Sequence, residues 1–106
     1  MDMVFRVARV GIDPAKRDLV MDEYARYVES VEQDPGVLAW ELCADADDDV
    51  IWILAKFADA GAHQHHMSLP ETQAVSEVVR EALVGAPEFH QLVPQFSVNR
   101  QGGMST

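Results

Sequence analysis

The run Val50-Ile51-Trp52-Ile53-Leu54-Ala55-Lys56-Phe57 is apolar at both parities until Lys56. A strand with one wet face alternates polar and apolar side chains, so a strand that does not alternate needs cover on both faces. Val37 to Cys43 reads as a partner strand, joined to this run by the acidic tip Asp45, Asp47, Asp48 and Asp49, which predicts a hairpin with a solvated turn. One layer of helices covers one face of such a sheet. The other face must meet a ligand pocket, a second subunit, or both.

The rest of the chain supplies the helices and two more strands. Val4 to Val10 is rich in β-branched and aromatic residues and reads as a strand. Asp13-Pro14 offers a cap with proline at the first helical position. Val20, Tyr24, Tyr27, Val28 and Val31 then recur at helical spacing until Asp34-Pro35-Gly36 ends the helix. Asp59 can cap a short helix through Met67, and Ser68 with Glu71 has the spacing of a capping box. The next helix carries Val75, Val78, Val79, Ala82 and Leu83 on one stripe and ends at Gly85 and Pro87. Leu92 to Val98 reads as the last strand, with Pro94 placing it at an edge, a bulge, or outside its own sheet. The order β-α-β-β-α-β predicts an α+β, ferredoxin-like split βαβ domain, an antiparallel sheet with helices on one face, dimerising through the other. Residues 1–98 form the expected domain, and 99–106 a polar, frayed tail.

Eight basic against eighteen acidic residues give a formal charge of -10, which repels phosphate backbones and anionic lipid headgroups. Neither nucleic acid nor membrane is therefore expected as a partner. The first residues do not read as a signal peptide, and no apolar run approaches the ~20 residues that span a bilayer. A single cysteine, Cys43, forms no internal disulfide and fits a reducing compartment. The expected location is the cytoplasm.

Glu32-Gln33-Asp34-Pro35-Gly36-Val37-Leu38-Ala39-Trp40-Glu41-Leu42, the Asp45 to Asp49 tip, Trp52-Ile53-Leu54-Ala55-Lys56-Phe57, Asp59, Ala62, His66 and Pro70 follow one another in a specific order. In that order and spacing the chain resembles the antibiotic biosynthesis monooxygenase family of the dimeric α/β-barrel superfamily. The likeness is topological over nearly the whole chain and sequence-level over its middle third. Two departures stand out. Ala55 and Phe57 occupy positions where family members usually have glutamate and tryptophan, and Ile53 lies near an asparagine that helps hold aromatic polyketides. The haem-degrading branch is disfavoured, because Arg9 and Ser76 stand near its asparagine and proximal histidine. By resemblance, His66 is the catalytic residue, and Phe57, Trp40, Ile53 and Ala55 line the substrate pocket.

Each candidate has a plainer reading beside it. His63 and His66 share a helical face, but two imidazoles do not complete a metal site, so no metal is expected. An imidazole at a pocket mouth can serve as acid or base, while histidines on a short helix are also ordinary surface residues. For His63 and His65 the surface reading is the better one; for His66 the two are even. Trp40 and Trp52 can pair across the hairpin, one of them walling a pocket, with sheet core the better reading for Trp52. Tyr24 and Tyr27 read as core or rim residues whose hydroxyls reach solvent. The aspartate tip lacks the glycine and distal glutamate of a calcium loop. Lys56 can face an anionic substrate or a carboxylate of a dimer mate, and Cys43 reads as a small strand residue.

The resemblance implies a cofactor-independent monooxygenase that oxidises an electron-rich aromatic or quinol-like compound with O₂, His66 accepting the substrate proton. Two other classes stay open: a non-oxidative isomerase of a small carbonyl metabolite, which would turn over without oxygen, and a non-catalytic ligand-binding dimer, which would bind equally well without His66.

Overall fold

A computed structural model describes residues 3–98. The expected tail at 99–106 lies outside the described residues. The elements are β1 (Val4–Gly11), α1 (Arg17–Glu32), β2 (Val37–Ala44), β3 (Val50–Phe57), α2 (Ala60–Ser68), α3 (Pro70–Ala82) and β4 (Glu88–Leu92). A short 3-10 turn, Pro14–Lys16, leads into α1, and Asp13 accepts the Ala15 backbone N–H at its start. The four strands form one antiparallel sheet in the order β2-β3-β1-β4. This is the expected α+β ferredoxin-like fold.

The register explains why β3 lacks alternation. Val10, Ala8, Arg6 and Val4 stand opposite Ile51, Ile53, Ala55 and Phe57 on the helix-covered face, which Trp40 and Leu42 of β2 share. Val20, Tyr24, Tyr27 and Val31 of α1 bury their stripe on this face, joined by Val75 and Ala82 of α3. Ile51 and Val20 are fully enclosed, and each such side chain contributes about 1.5–3 kcal/mol by leaving water. The other parity of β3, Val50, Trp52, Leu54 and Lys56, lies on the open face beside Phe5, Val7 and Arg9. There the Lys56 ammonium sits 5.0 Å from the Phe5 ring centre, so Lys56 takes no part in the helix-side core.

Three expectations need correction. The last strand is Glu88–Leu92, upstream of the predicted Leu92 to Val98. Pro94 cannot donate to a ladder, and the exposed, largely polar residues of the true strand suit an edge that pairs with β1 alone. Ser68 does not cap α3. Leu69 holds that place without a side-chain bond, because Pro70 keeps its predecessor extended, and the Ser68 hydroxyl instead donates to the His65 carbonyl. Finally, the tryptophans do not pair. Trp40 stands opposite Ala55 and Trp52 opposite Cys43, which puts the two indoles on opposite faces. Trp52 is not helix-side core; its Nε1 donates to Asp45, and the Arg9 guanidinium lies 5.9 Å from its ring centre.

Among the described residues no helix is long and apolar enough to cross a membrane.

Candidate functional site

The Asp34-Pro35-Gly36 turn does more than end α1. Asp34 accepts the Gly36 backbone N–H at 3.0 Å, and its other carboxylate oxygen points toward α2. A Cβ on Gly36 would come within 2.8 Å of the Ala62 methyl, so glycine lets α2 lie directly on the turn. That approach brings His66 against Asp34, with Nδ1 3.0 Å from Oδ2 and both side chains buried. Burial pushes the Asp34 carboxyl up, but the His66 hydrogen bond, the Gly36 N–H and the nearby imidazoles outweigh it. The acid stays below its ordinary value.

The other ring nitrogen, Nε2, meets the Tyr27 hydroxyl. Tyr27 also contacts Thr72 Oγ1 at 3.1 Å, and Thr72 donates to the His66 carbonyl at 2.7 Å. A carboxylate can only accept, so Nδ1 carries a hydrogen. The remaining hydrogens can be counted. If Nε2 is also protonated, it donates to Tyr27, Tyr27 donates to Thr72, and Thr72 donates to the carbonyl; every contact has its proton. If Nε2 is bare, Tyr27 donates to it, and the single Thr72 hydrogen must serve either the carbonyl or Tyr27. The two arrangements differ by one proton, taken up at Nε2 with Asp34 as counter-charge. Burial keeps the Tyr27 phenol above its ordinary value; the Thr72 hydrogen bond offsets part of that, and the Asp34 and Glu71 charges add to it. At neutral pH Tyr27 is therefore a neutral hydroxyl.

Tyr27, His66 and Thr72 line a cavity of about 290 Å³ between the sheet and the helices. All five residues predicted for the site, His66, Phe57, Trp40, Ile53 and Ala55, line this cavity. The walls are aromatic. Trp40 lies 5.9 Å from Tyr27 and 6.0 Å from Tyr24, centre to centre, and Phe57 lies 5.3 Å from His66. Burial drives the Tyr24 hydroxyl far up, with the second tyrosine adding to the effect, so Tyr24 serves as an uncharged wall.

His66 is 2% exposed, however, and does not stand at the pocket mouth as expected. Both its nitrogens are engaged, and Tyr27 is the hydroxyl next to it. His63 is no surface histidine either. It packs on Phe57 at 4.8 Å and lines the cavity, and burial, with the Arg6 and His66 charges, lowers its pKa. Sequence reasoning missed Tyr27, Asp34 and Thr72 as partners of His66, and Arg6 and Arg80 as cavity residues. The one signal for the first two was their spacing of seven, which brings the turn after α1 near the helical face that carries Tyr27. Among the described residues no group of three His, Cys, Asp or Glu side chains is arranged to hold a metal ion.

The Asp34 pair has a pH signature. In the unfolded chain the carboxyl takes its proton near its ordinary value of 3.8, whereas the folded protein holds it ionised below that. Its stabilisation is therefore full above that pH and is lost as pH falls through the window beneath. Asp34→Asn should cost about 2 kcal/mol at pH 7, with the gap from the parent shrinking below pH ~4 in urea unfolding. His63, whose imidazole burial holds below its ordinary value of 6.5, is expected to weaken both proteins equally as pH falls and to cancel in the difference. A gap that stays constant down to pH ~3 would contradict the pair.

No curated protein matches the chain. Among solved structures, a protein from Caulobacter crescentus CB15 assigned to the antibiotic biosynthesis monooxygenases superposes with a TM-score of 0.81 at 24% identity, covering 86% of this chain and 88% of that one. Rv0793 from Mycobacterium tuberculosis gives 0.84 at 17% identity, over 92% and 100%. SnoaB, a cofactor-independent oxygenase from Streptomyces nogalater crystallised as a point mutant, gives 0.78 at 18% identity, over 94% and 100%. At these identities the likeness is one of fold. The sequence itself goes further, because the family model described as "Antibiotic biosynthesis monooxygenase" matches residues 3–78. The chain belongs to the antibiotic biosynthesis monooxygenase family.

Proposed function

We propose that this protein is a cofactor-independent monooxygenase that oxidises an electron-rich aromatic or quinol-like compound with O₂, acting in the cytoplasm as a homodimer. The observation that carries the reading is the Tyr27–His66–Asp34 chain, which ends in a neutral hydroxyl on the wall of an aromatic cavity. A substrate hydroxyl or activated CH₂ gives its proton to Tyr27 Oη while the Tyr27 proton passes to His66 Nε2, and Asp34 holds the resulting imidazolium. The substrate anion is then the reductant. For an anthrone-type CH₂, one oxygen of O₂ enters the new carbonyl, and the other leaves as water with the two hydrogens removed. Phe57, Trp40, Ile53 and Ala55 keep the anion dry and flat against the rings, where water cannot compete for its charge.

The same chain could move a proton without O₂, so an isomerase is the second reading, and oxygen dependence separates the two. The open face supports the dimer. Phe5, Val7, Trp52 and Leu54 lie together on the sheet face that no helix covers, and a second copy of this face would cover them as the first copy covers its own.

Oxygen uptake by the metal-stripped protein with an anthrone or hydroquinone should exceed the spontaneous rate. Tyr27→Phe and His66→Ala should each lower it by about 10²-fold or more, as loss of a positioned acid–base group does. Full turnover under strict anaerobiosis would establish the isomerase instead, and unchanged uptake in both variants would remove the relay. Light scattering at micromolar concentration should give twice the 11.8 kDa chain mass, and a monomeric mass would refute the dimer.

A further inference from the structure

The cavity reverses the sign of the protein's charge. Carboxylates outnumber Lys and Arg eighteen to eight in the sequence, yet none lines the cavity, whereas Arg6 and Arg80 do. Two of the arginines outside the cavity have carboxylates: Arg9 lies 3.6 Å from Glu88, and Arg26 is paired with Glu23. Among the described residues neither Arg6 nor Arg80 has a carboxylate within pairing distance.

Arg6 is the better placed of the two. It sits in β1 between Ala55 of β3 and Gln91 of β4, on the helix-covered face, and is half-buried. A guanidinium offers five N–H donors, and among the described residues Arg6 makes one side-chain hydrogen bond, from Nη1 to Gln91 Oε1 at 3.3 Å. Arg6 stands opposite Ala55, one same-face position from Phe57 on β3, so it lies at the Phe57 end of the aromatic wall. Arg80 lines the cavity from α3 and is exposed. A half-buried guanidinium on the wall of an apolar cavity offers a charge-assisted site for an anionic ligand group.

We propose that the cavity selects aromatic compounds bearing a permanent anionic group such as a carboxylate, with Arg6 as the primary anchor and Arg80 as a second cation drawing the ligand in. The ring of such a ligand lies against Phe57 and Trp40 while its carboxylate takes the free edge of the Arg6 guanidinium. This assignment rests on reading the cavity as the substrate pocket, and it narrows the substrate to an aromatic acid. It also gives the acidic protein a local attractive field for a ligand that the rest of its surface repels.

The probe pair is 2-naphthoate and 2-naphthalenemethanol, which share a ring system and differ in charge. Trp40 lines the cavity and Trp52 lies on the other face, so Trp52→Phe protein reports ligand entry through Trp40 fluorescence. Naphthoate should quench saturably and bind at least about tenfold more tightly than the alcohol, with a preference that fades as salt rises. Arg6→Gln should remove most of that preference and leave the alcohol unchanged, Arg6→Lys should restore part of it, and Arg80→Gln should weaken it less. Equal binding of both probes, or a preference indifferent to salt, would overturn the proposal without any variant. A preference kept in both glutamine variants would do so as well. None of these readings needs oxygen or turnover. A failed oxygenase assay therefore leaves the anion preference standing, and a failed preference leaves the oxygenase reading standing.

Discussion

The Asp34–His66 hydrogen bond is the contact on which the rest of the site depends. A buried carboxylate is costly unless it is both paired and hydrogen-bonded, and Asp34 is both, through Nδ1 of His66 and the Gly36 N–H. The bond ties the end of α1 to α2, two elements whose apolar contact is otherwise slight. It also settles the chemistry of His66. With Nδ1 committed to a carboxylate, Nε2 is the nitrogen left to meet Tyr27.

From that constraint the cavity takes its character. Tyr27 holds one end of the proton chain, and Trp40 and Tyr24 pack around it nearly edge-on or tilted rather than stacked flat. The departures at Ile53, Ala55 and Phe57 leave β3 without a carboxylate or an indole on this wall. A polar group on β3 is thus replaced by one delivered from α1. The hydrogen-bonded polar groups at this cavity come from the helices and the turn after α1, while the sheet contributes an apolar floor and, through Arg6, a positive charge.

How much of this could be read in the sequence depends on the range of the interaction. Strand β3 was legible because its two apolar faces are a local pattern, and α1 because Val20, Tyr24, Tyr27 and Val31 repeat with the helix. Strand β4 was displaced by several residues, since Glu88–Leu92 is an exposed edge whose pairing with β1 leaves little hydrophobic signal. His66 and the pocket side chains came from a family likeness, not from any pattern around them. Asp34 and Tyr27 were both visible, one as a turn residue and one as part of a core stripe. Their meeting with His66, 32 and 39 positions away, is set by how α2 lies on the Gly36 turn, which periodicity does not encode. Arg6 escaped for a related reason: a charged residue in a strand reads as solvated until the register turns it inward.

The most direct measurement is nitrogen-15 NMR of the His66 imidazole at neutral pH, assigned by comparison with His66→Ala. The expected result is that Nδ1 carries a hydrogen, held by Asp34, and that Nε2 is the nitrogen facing Tyr27. In Tyr27→Phe the Nε2 signal should move while Nδ1 stays in place. A His66 ring with a bare Nδ1 and a protonated Nε2 at neutral pH would contradict the chain at its first bond.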